Sequence, residues 1–333
     1  MTDPGASLGA GALQRSLLDT IGDTPIVELR HFCDESKGRI FAKLESRNPS
    51  GSKYDRVAKQ VIGDARAEGR LGRCQTVVAA VEGVGALAFA QVCAIMRHPF
   101  SAVISRAASG VPVAALTALG CEVIWVDQDP TSPPGRLTPL DRELTQRKAD
   151  EVVAITGAFD PQLLTNRSAF RAHRLGTGQE IVRQVGGEFG AFVDFVATGA
   201  TLAGCAAAFH EFDATIRCFA VEPKGAATLS GEAAYLDDHG IDGGGLGLPV
   251  LPLLSPERLA GIVQVTRQDA HKAAVELAQK EGILCGLSAG ASLVAARSLL
   301  DAECFGESIV IVVSDNGVVP TSESLAGRLA DAA

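Results

Sequence analysis

The sequence has few aromatic residues, no long apolar run and no cluster of basic residues. Aromatic residues make up 5% of the 333 positions, against 47% hydrophobic residues and 36 glycines, which is typical of a Val-, Ala- and Leu-rich α/β protein. No apolar run approaches the roughly 18 residues that a membrane-spanning helix needs. A net charge of −9 without a basic stripe argues against nucleic acid and acidic membranes as partners.

The cysteines also lack the spacing of a metal site. All eight are scattered, without a Cys-x-x-Cys pair or a Cys/His pattern suited to zinc. Most lie in apolar segments, where cysteine acts as a small core residue. Residues 1–12 have neither the basic start nor the apolar segment of a secretory signal. We therefore expect a cytoplasmic, reduced protein without a metal, with a disordered lead-in over residues 1–12.

Short apolar strands alternate with helical segments along the chain. Residues 76–80, 101–104, 192–197 and 308–313 are strand-like, and helix-like segments lie between them. This alternation predicts an α/β fold with parallel-rich sheets and helices on both faces.

The stretch that organises the chain is Asn48-Pro49-Ser50-Gly51-Ser52-Lys53-Tyr54-Asp55-Arg56. It follows a strand-like run and opens a helix-like one, with Asn, Pro and Gly predicting the turn and Ser52 predicted as the N-cap. A strand, a tight turn and a helix N-terminus are a usual place for a reactive group or an anion in α/β proteins.

Residues 21–29, 42–45 and 48–56 together resemble the opening of cysteine synthases and cystathionine β-synthases. These are fold-type II pyridoxal-phosphate (PLP) enzymes, and the resemblance covers residues 15–320. It implies a tryptophan synthase β-like fold of two lobes with the cofactor cleft between them, and a homodimer. The smaller lobe is predicted over 36–150, and the larger lobe over 13–35 plus 151–333.

The family pattern Asn-Pro-x-Gly-Ser-x-Lys-Asp-Arg contains the lysine that holds PLP as a Schiff base. In this chain Tyr54 stands at the lysine position and Lys53 stands one place earlier. Adjacent residues at a helix entry diverge by about 100°, so Lys53 needs a one-residue slip to take over that role. We expect Lys53 to be solvated. The phenol of Tyr54 is the candidate proton donor, or a base if its pKa is lowered.

Residues 197–201 resemble the family's Gly-Thr-Gly-Gly-Thr phosphate cup, and the alternative is an ordinary βα turn. Ala197 and Ala200 replace Gly, which predicts a reshaped cup because Ala restricts positive φ. Residues 281–290 also match the family, and they place Ser288 where a serine hydrogen-bonds the pyridine nitrogen. The alternative is that Ser288 N-caps the next helix, and the two roles are compatible. The candidate cofactor-binding residues are Thr198, Gly199, Ala200, Thr201 and Ser288.

The family's Thr-Ser-Gly-Asn-Thr-Gly loop, which binds the substrate carboxylate, aligns with residues 81–86. The candidate substrate-loop residues are Glu82, Gly83, Val84 and Gly85. The hydroxyls and the Asn are missing, and Glu82 would repel a carboxylate. His173 matches a histidine of the family, but a surface or capping role is the default for a lone His.

Three hypotheses remain open. The leading one is a cysteine synthase-like protein that binds PLP or another phosphorylated small molecule non-covalently, for altered chemistry with Tyr54 or for binding alone. The second is an active β-replacement enzyme that uses Lys53. The third is a catalytically inert subunit that partners another enzyme. If the protein is an enzyme, the resemblance implies a lyase or transferase acting on an amino acid or a related small molecule.

Overall fold

The structure, a computed structural model, describes most of the chain. The described residues are 13–33, 38–81, 83–108, 110–232, 239–302, 304 and 306–317. The predicted lead-in over residues 1–12 lies outside these ranges. Within them, no helix is both long enough and apolar enough to span a bilayer.

Two β-sheets carry the described part of the fold. Their strands are β1 (Ile26–Glu28), β2 (Gly38–Leu44), β3 (Val77–Ala80), β4 (Phe100–Ser105), β5 (Glu122–Val126), β6 (Ala191–Phe195), β7 (Arg217–Pro223), β8 (Gly261–Val265) and β9 (Glu307–Val313). The larger sheet has the order β1-β2-β9-β6-β7-β8 and the smaller one β3-β4-β5. Only β1 and β2 pair antiparallel among these strands. Buried apolar runs such as the end of β9 are typical of parallel strands covered on both faces.

Helices connect most of the strands, as the sequence predicts. They are α1 (Tyr54–Ala67), α2 (Gly83–Met96), α3 (Val113–Ala118), α4 (Pro139–Thr156), α5 (Arg167–Ala172), α6 (Gln179–Val185), α7 (Ala200–Phe212), α8 (Arg267–Glu281) and α9 (Leu287–Asp301). Local signals set their ends: a capping box of Thr138 and Asp141 begins α4, and left-handed Gly157 ends it. A π-helical segment, His173–Gly178, joins α5 to α6.

Helices cover both faces of each sheet. The apolar core on one face of the larger sheet includes side chains of α8 and α9, and the core on the other face includes side chains of α7. The smaller sheet packs between α4 on one face and the helices α1 and α2 on the other. The predicted α/β class, with mainly parallel sheets and helices on both faces, is confirmed.

The division into lobes at residues 36 and 150 stays a prediction. Strand β2 pairs within the larger sheet, while α4 continues to Thr156 and packs against β3 and β4. The chain leaves β2 and enters the core of the smaller sheet through Val57 and Val61 of α1. This crossing places residues 48–56 between the two sheets.

Candidate functional site

The turn between β2 and α1 is fixed by the segment that follows β9. The Lys53 N–H donates to the Ser314 carbonyl at 2.9 Å. The predicted N-cap is off by one residue, because α1 begins at Tyr54 and Lys53 flanks it. The Ser52 hydroxyl still accepts from the Tyr54 N–H at 3.2 Å, so it satisfies one N–H that the helix itself leaves free.

Lys53 is buried, with 8% of its surface exposed, so the prediction of a solvated side chain was wrong. Its Nζ lies 3.5 Å from Oδ1 of Asp194 in β6. The backbone of Lys53 is already helical (φ −64°, ψ −18°) and its N–H is held by Ser314, which directs the side chain inward. Burial raises the pKa of Asp194, and the charge of Lys53 opposes that rise.

Tyr54 extends toward the start of α2. A Cβ atom placed on Gly85 would lie 3.7 Å from the Tyr54 ring, so the ring packs over this glycine. Tyr54 and Lys53 therefore reach different elements, as the step of about 100° between adjacent helical residues predicts.

Residues 198–201 form the junction between β6 and α7. Gly199 has a φ of +81°, whereas Ala197 and Ala200 do not have positive φ, and the reshaping of the cup by these alanines stays a prediction. The Ala200 N–H donates to Oγ1 of Thr198 at 3.4 Å. The first N–H groups of a helix have no partner within it, so this junction offers donors to an anion.

His173 lies buried behind the β6–α7 junction, so the default of a surface or capping role was wrong. It is 1% exposed, because the π-helical segment packs against α7. Its Nε2 lies 3.3 Å from Oγ1 of Thr201, and its Nδ1 lies 3.0 Å from Oγ1 of Thr177. His173 thus connects Thr201 of the junction to the hydroxyl of Thr177.

A small cleft lies between α1 and the β6–α7 junction. Its polar wall is made by Lys53, His173, Asp194, Thr198 and Thr201, and its apolar wall by Tyr54, Val57, Leu163 and Ala169. The structure thus brings together six predicted site residues: Lys53, Tyr54, Thr198, Gly199, Ala200 and Thr201.

The predicted substrate loop lies at the junction of β3 and α2. Gly83, with a φ of +53°, begins α2, and Gly85 is buried beneath the Tyr54 ring. Val84 is half-buried, and Glu82 lies outside the described residues. Since the remaining side chains are apolar, this junction offers an anion only backbone donors in its described part.

Ser288 lies in the first turn of α9 and is 4% exposed, outside the wall of the cleft as the described residues form it. The helix begins at Leu287 with Gly286 as its N-cap, so a capping role for Ser288 was wrong. Buried Asp315 instead accepts from the Gly286 N–H. Burial raises the pKa of Asp315, while its N–H donors and Lys53 oppose the rise.

A buried ion network anchors α1 below the cleft. Arg56 lies 2.6 Å from Glu45 and 2.6 Å from Glu180, and Lys43 lies 2.7 Å from Glu180. Two cations therefore balance two carboxylates. Burial alone would raise the pKa of Glu180, but Arg56 and Lys43 outweigh it and hold that pKa at about 2.

Several of these charged residues were missed by the sequence analysis. For Asp194 and Lys43 a signal existed, since each interrupts an apolar strand, where a buried charge needs a partner. Glu180 gives no such signal, because its partner Arg56 lies 124 residues away along the chain.

Comparison with known proteins agrees with this architecture. A cysteine synthase of Staphylococcus aureus is 30% identical over 305 residues, which is 91% of this chain and 94% of that protein. A probable cysteine synthase of Bacillus subtilis is 30% identical, over 90% of this chain and 93% of that protein.

Solved structures show the same fold-type II architecture. O-ureido-L-serine synthase is similar with a TM-score of 0.82 at 29% identity, covering 92% of this chain and 93% of that one. O-acetyl serine sulfhydrylase isoform 3 from Entamoeba histolytica gives a TM-score of 0.84 at 26% identity, covering 99% of both chains. Residues 17–315 match the pyridoxal-phosphate dependent enzyme family, so the chain belongs to that family.

Proposed function

We propose that this protein binds PLP or a related phosphorylated small molecule non-covalently in the cleft, for altered chemistry or for binding alone. One observation carries the proposal. The ammonium of Lys53 and the β6–α7 junction line one cleft, and Tyr54, at the position the resemblance gives to the family lysine, lines it too, with its ring against Gly85.

The residues of the polar wall fit a phosphate group. The first turn of α7 supplies N–H groups, Thr198 and Thr201 supply hydroxyls, and Lys53 supplies a positive charge. Asp194 by itself would repel an anion, but Lys53 neutralises it at 3.5 Å. The apolar residues of the cleft suit the flat ring of such a ligand.

PLP, when bound, supplies an electron sink for reactions at the carbon atoms of amino acids. In this chain the β6–α7 junction would hold the phosphate, and the phenol of Tyr54 would be the proton donor. The apolar β3–α2 junction is a poor site for an α-carboxylate, which favours a substrate different from the family's usual amino acids. The reaction class would be that of a lyase or transferase.

The second candidate is a β-replacement enzyme in which the cofactor attaches to Lys53. Burial of Lys53 in the cleft favours this candidate. However, the Lys53 side chain is paired with Asp194, and the Lys53 backbone is held by Ser314. Non-covalent binding therefore remains the leading proposal.

The third candidate, an inert subunit of another enzyme, predicts no ligand in the cleft. A homodimer and a place in cytoplasmic amino-acid metabolism are further proposals that follow from the family. Neither proposal depends on whether the cofactor attaches to Lys53.

The test uses two ligands, PLP and 4′-deoxypyridoxine 5′-phosphate, which lacks the aldehyde. Affinity is measured by calorimetry, followed by borohydride reduction of the PLP sample and mapping of labelled lysines. We expect similar affinity for both ligands and no labelled lysine. A label on Lys53 would establish the second candidate, the β-replacement enzyme. If neither ligand binds, the first two candidates are excluded and the inert subunit remains.

Two variants sharpen this test. Tyr54→Lys should gain the absorption band of a protein-linked cofactor, which would show that the cleft is otherwise complete. Tyr54→Phe keeps the ring against Gly85 and removes only the hydroxyl. If the protein catalyses a lyase or transferase reaction and Tyr54→Phe catalyses it equally well, Tyr54 is excluded as its acid or base.

A further inference from the structure

The hydroxyls of Thr177 and Thr201 are joined by one buried imidazole. Nδ1 of His173 is 3.0 Å from Oγ1 of Thr177, and Nε2 is 3.3 Å from Oγ1 of Thr201. Both threonines are buried, and Thr201 and His173 also line the cleft. The three side chains therefore form a continuous line of hydrogen-bonding groups that ends at the candidate anion site.

The imidazole in this line is neutral. Burial lowers the pKa of His173 well below its ordinary value, and the positive charges of Lys53 and Arg56 act in the same direction against the opposing charge of Glu180. A neutral imidazole has one N–H donor and one acceptor nitrogen. Its hydrogen bonds must therefore run in one of two directions along the line.

The direction decides what Thr201 offers to the cleft. If Nε2 accepts the hydroxyl proton of Thr201, that proton is unavailable to a ligand. If Nε2 carries the proton and donates it to Oγ1, the Thr201 hydroxyl is free to donate into the cleft. Nδ1 then accepts from Thr177. The hydrogen bonds point the same way along the line in both directions, so the choice depends on the ligand, and an anion, which can only accept, favours the second direction.

We propose that His173 is a positioning residue of the anion site, held by Thr177 as the Nε2–H tautomer so that Thr201 presents its hydroxyl proton to the ligand. This inference rests on the proposed function, because it assigns a role to a residue behind that same site. The site then selects oxyanions whose oxygens only accept, such as a dianionic phosphate. A ligand group that must itself donate at this point is disfavoured.

The π-helical segment gives this arrangement its geometry. Thr177 lies four residues after His173 within that segment, and its side chain reaches the ring. A π-helical turn is frequent at functional sites. In this protein the π-helical segment places Thr177 at Nδ1 of the His173 ring, and Thr201 of α7 lies at Nε2.

Two measurements test the proposal. The first is ¹⁵N NMR of ring-labelled histidine, with the His173 signals identified by their loss in His173→Asn. We expect a neutral ring protonated at Nε2, both in the free protein and with 4′-deoxypyridoxine 5′-phosphate bound. A ring protonated at Nδ1 in the bound protein would overturn the proposal without any need for a variant at the site.

The second measurement is the affinity for 4′-deoxypyridoxine 5′-phosphate. Thr177→Val removes the donor to Nδ1 while keeping the shape, and should weaken binding roughly 3- to 10-fold, the value of one hydrogen bond. Thr177→Ser keeps the hydroxyl and should bind like the unmodified protein.

The possible results separate the two proposals. Binding to the unmodified protein that stays equal in Thr177→Val overturns only the role of His173. A lack of binding to the unmodified protein overturns the proposed function, and the role of His173 falls with it.

Discussion

The β6–α7 and β3–α2 junctions have the same local design but different surroundings. Each joins a parallel strand to a helix through a glycine of positive φ, Gly199 at +81° and Gly83 at +53°. The first junction faces the ammonium of Lys53 and the ring of His173. The second is covered by the ring of Tyr54 at Gly85.

This comparison shows that a helix N-terminus is only part of an anion site. The helix dipole contributes typically 0.3–1 kcal/mol, whereas a hydrogen bond to a charged group contributes about 1.5–3 kcal/mol. Lys53 and His173 arrive at the first junction from the β2–α1 turn and the π-helical segment. The two junctions therefore differ because of side chains that come from other segments of the chain.

The largest effect should come from Lys53→Met, which removes the cation of the first junction. Asp194 then stays buried without its partner, so we expect the free energy of unfolding to fall by about 3–5 kcal/mol. Binding of 4′-deoxypyridoxine 5′-phosphate should weaken by roughly tenfold or more. Denaturant unfolding and calorimetry measure the two quantities.

Lys53→Met/Asp194→Asn is the control for this variant. The buried charge is gone, so much of the lost stability should return while binding stays weak. Restored binding in the double variant would mean that Lys53 does not contact the ligand, and the comparison of the junctions would fail.

The second effect is a pH dependence of stability that Glu180 contributes beneath the first junction. Its folded pKa of about 2 lies below the ordinary value of about 4.3, so its contribution is complete above about pH 5 and is lost as the pH falls toward 2. The size is about 3 kcal/mol, from the separation of the two pKa values.

Urea unfolding between pH 7 and 3 measures the part of this contribution, about half, that is lost by pH 3. Glu180→Gln should show a smaller loss of stability on acidification than the unmodified protein. Asp55, Asp194 and Asp315 have raised pKa values and act in the opposite sense in both proteins, so only the difference is informative. Parallel pH profiles would refute the role of Glu180.

A third prediction compares the two junction glycines directly. Gly199→Ala places a Cβ 2.9 Å from Cβ of Leu254, whereas Gly83→Ala meets nothing within 4 Å. The positive φ should lower the free energy of unfolding of both variants by about 1–2 kcal/mol. Only Gly199→Ala should lose a further amount, about 1–3 kcal/mol, from overpacking. Thermal unfolding of both variants checks the order. Equal losses would show that the clash at Leu254 relaxes freely.

The smallest effect should be a gain at the second junction. Val84→Asn adds an amide donor at the half-buried first turn of α2 and should strengthen L-serine binding by roughly 3- to 10-fold. Val84→Ala is the control, because it opens the same space without a donor. An equal gain in both variants would show that space, rather than a missing donor, limits this junction.

The sequence by itself determined the features that depend on neighbours along the chain. Alternating strands and helices follow from local apolar patterns, and the divergence of Lys53 from Tyr54 follows from helix geometry. Gly199 is the residue of its junction that has the positive φ, as a residue without a Cβ permits. These features need no knowledge of what packs opposite.

Only the tertiary structure decided where the charged side chains lie. Lys53 is buried because the fold brings Asp194, 141 residues away, within 3.5 Å of its ammonium. His173 lies behind the anion site because α7 packs against its segment. A charged or polar side chain enters a protein interior only where a partner offsets its desolvation, and distant parts of the chain supply that partner.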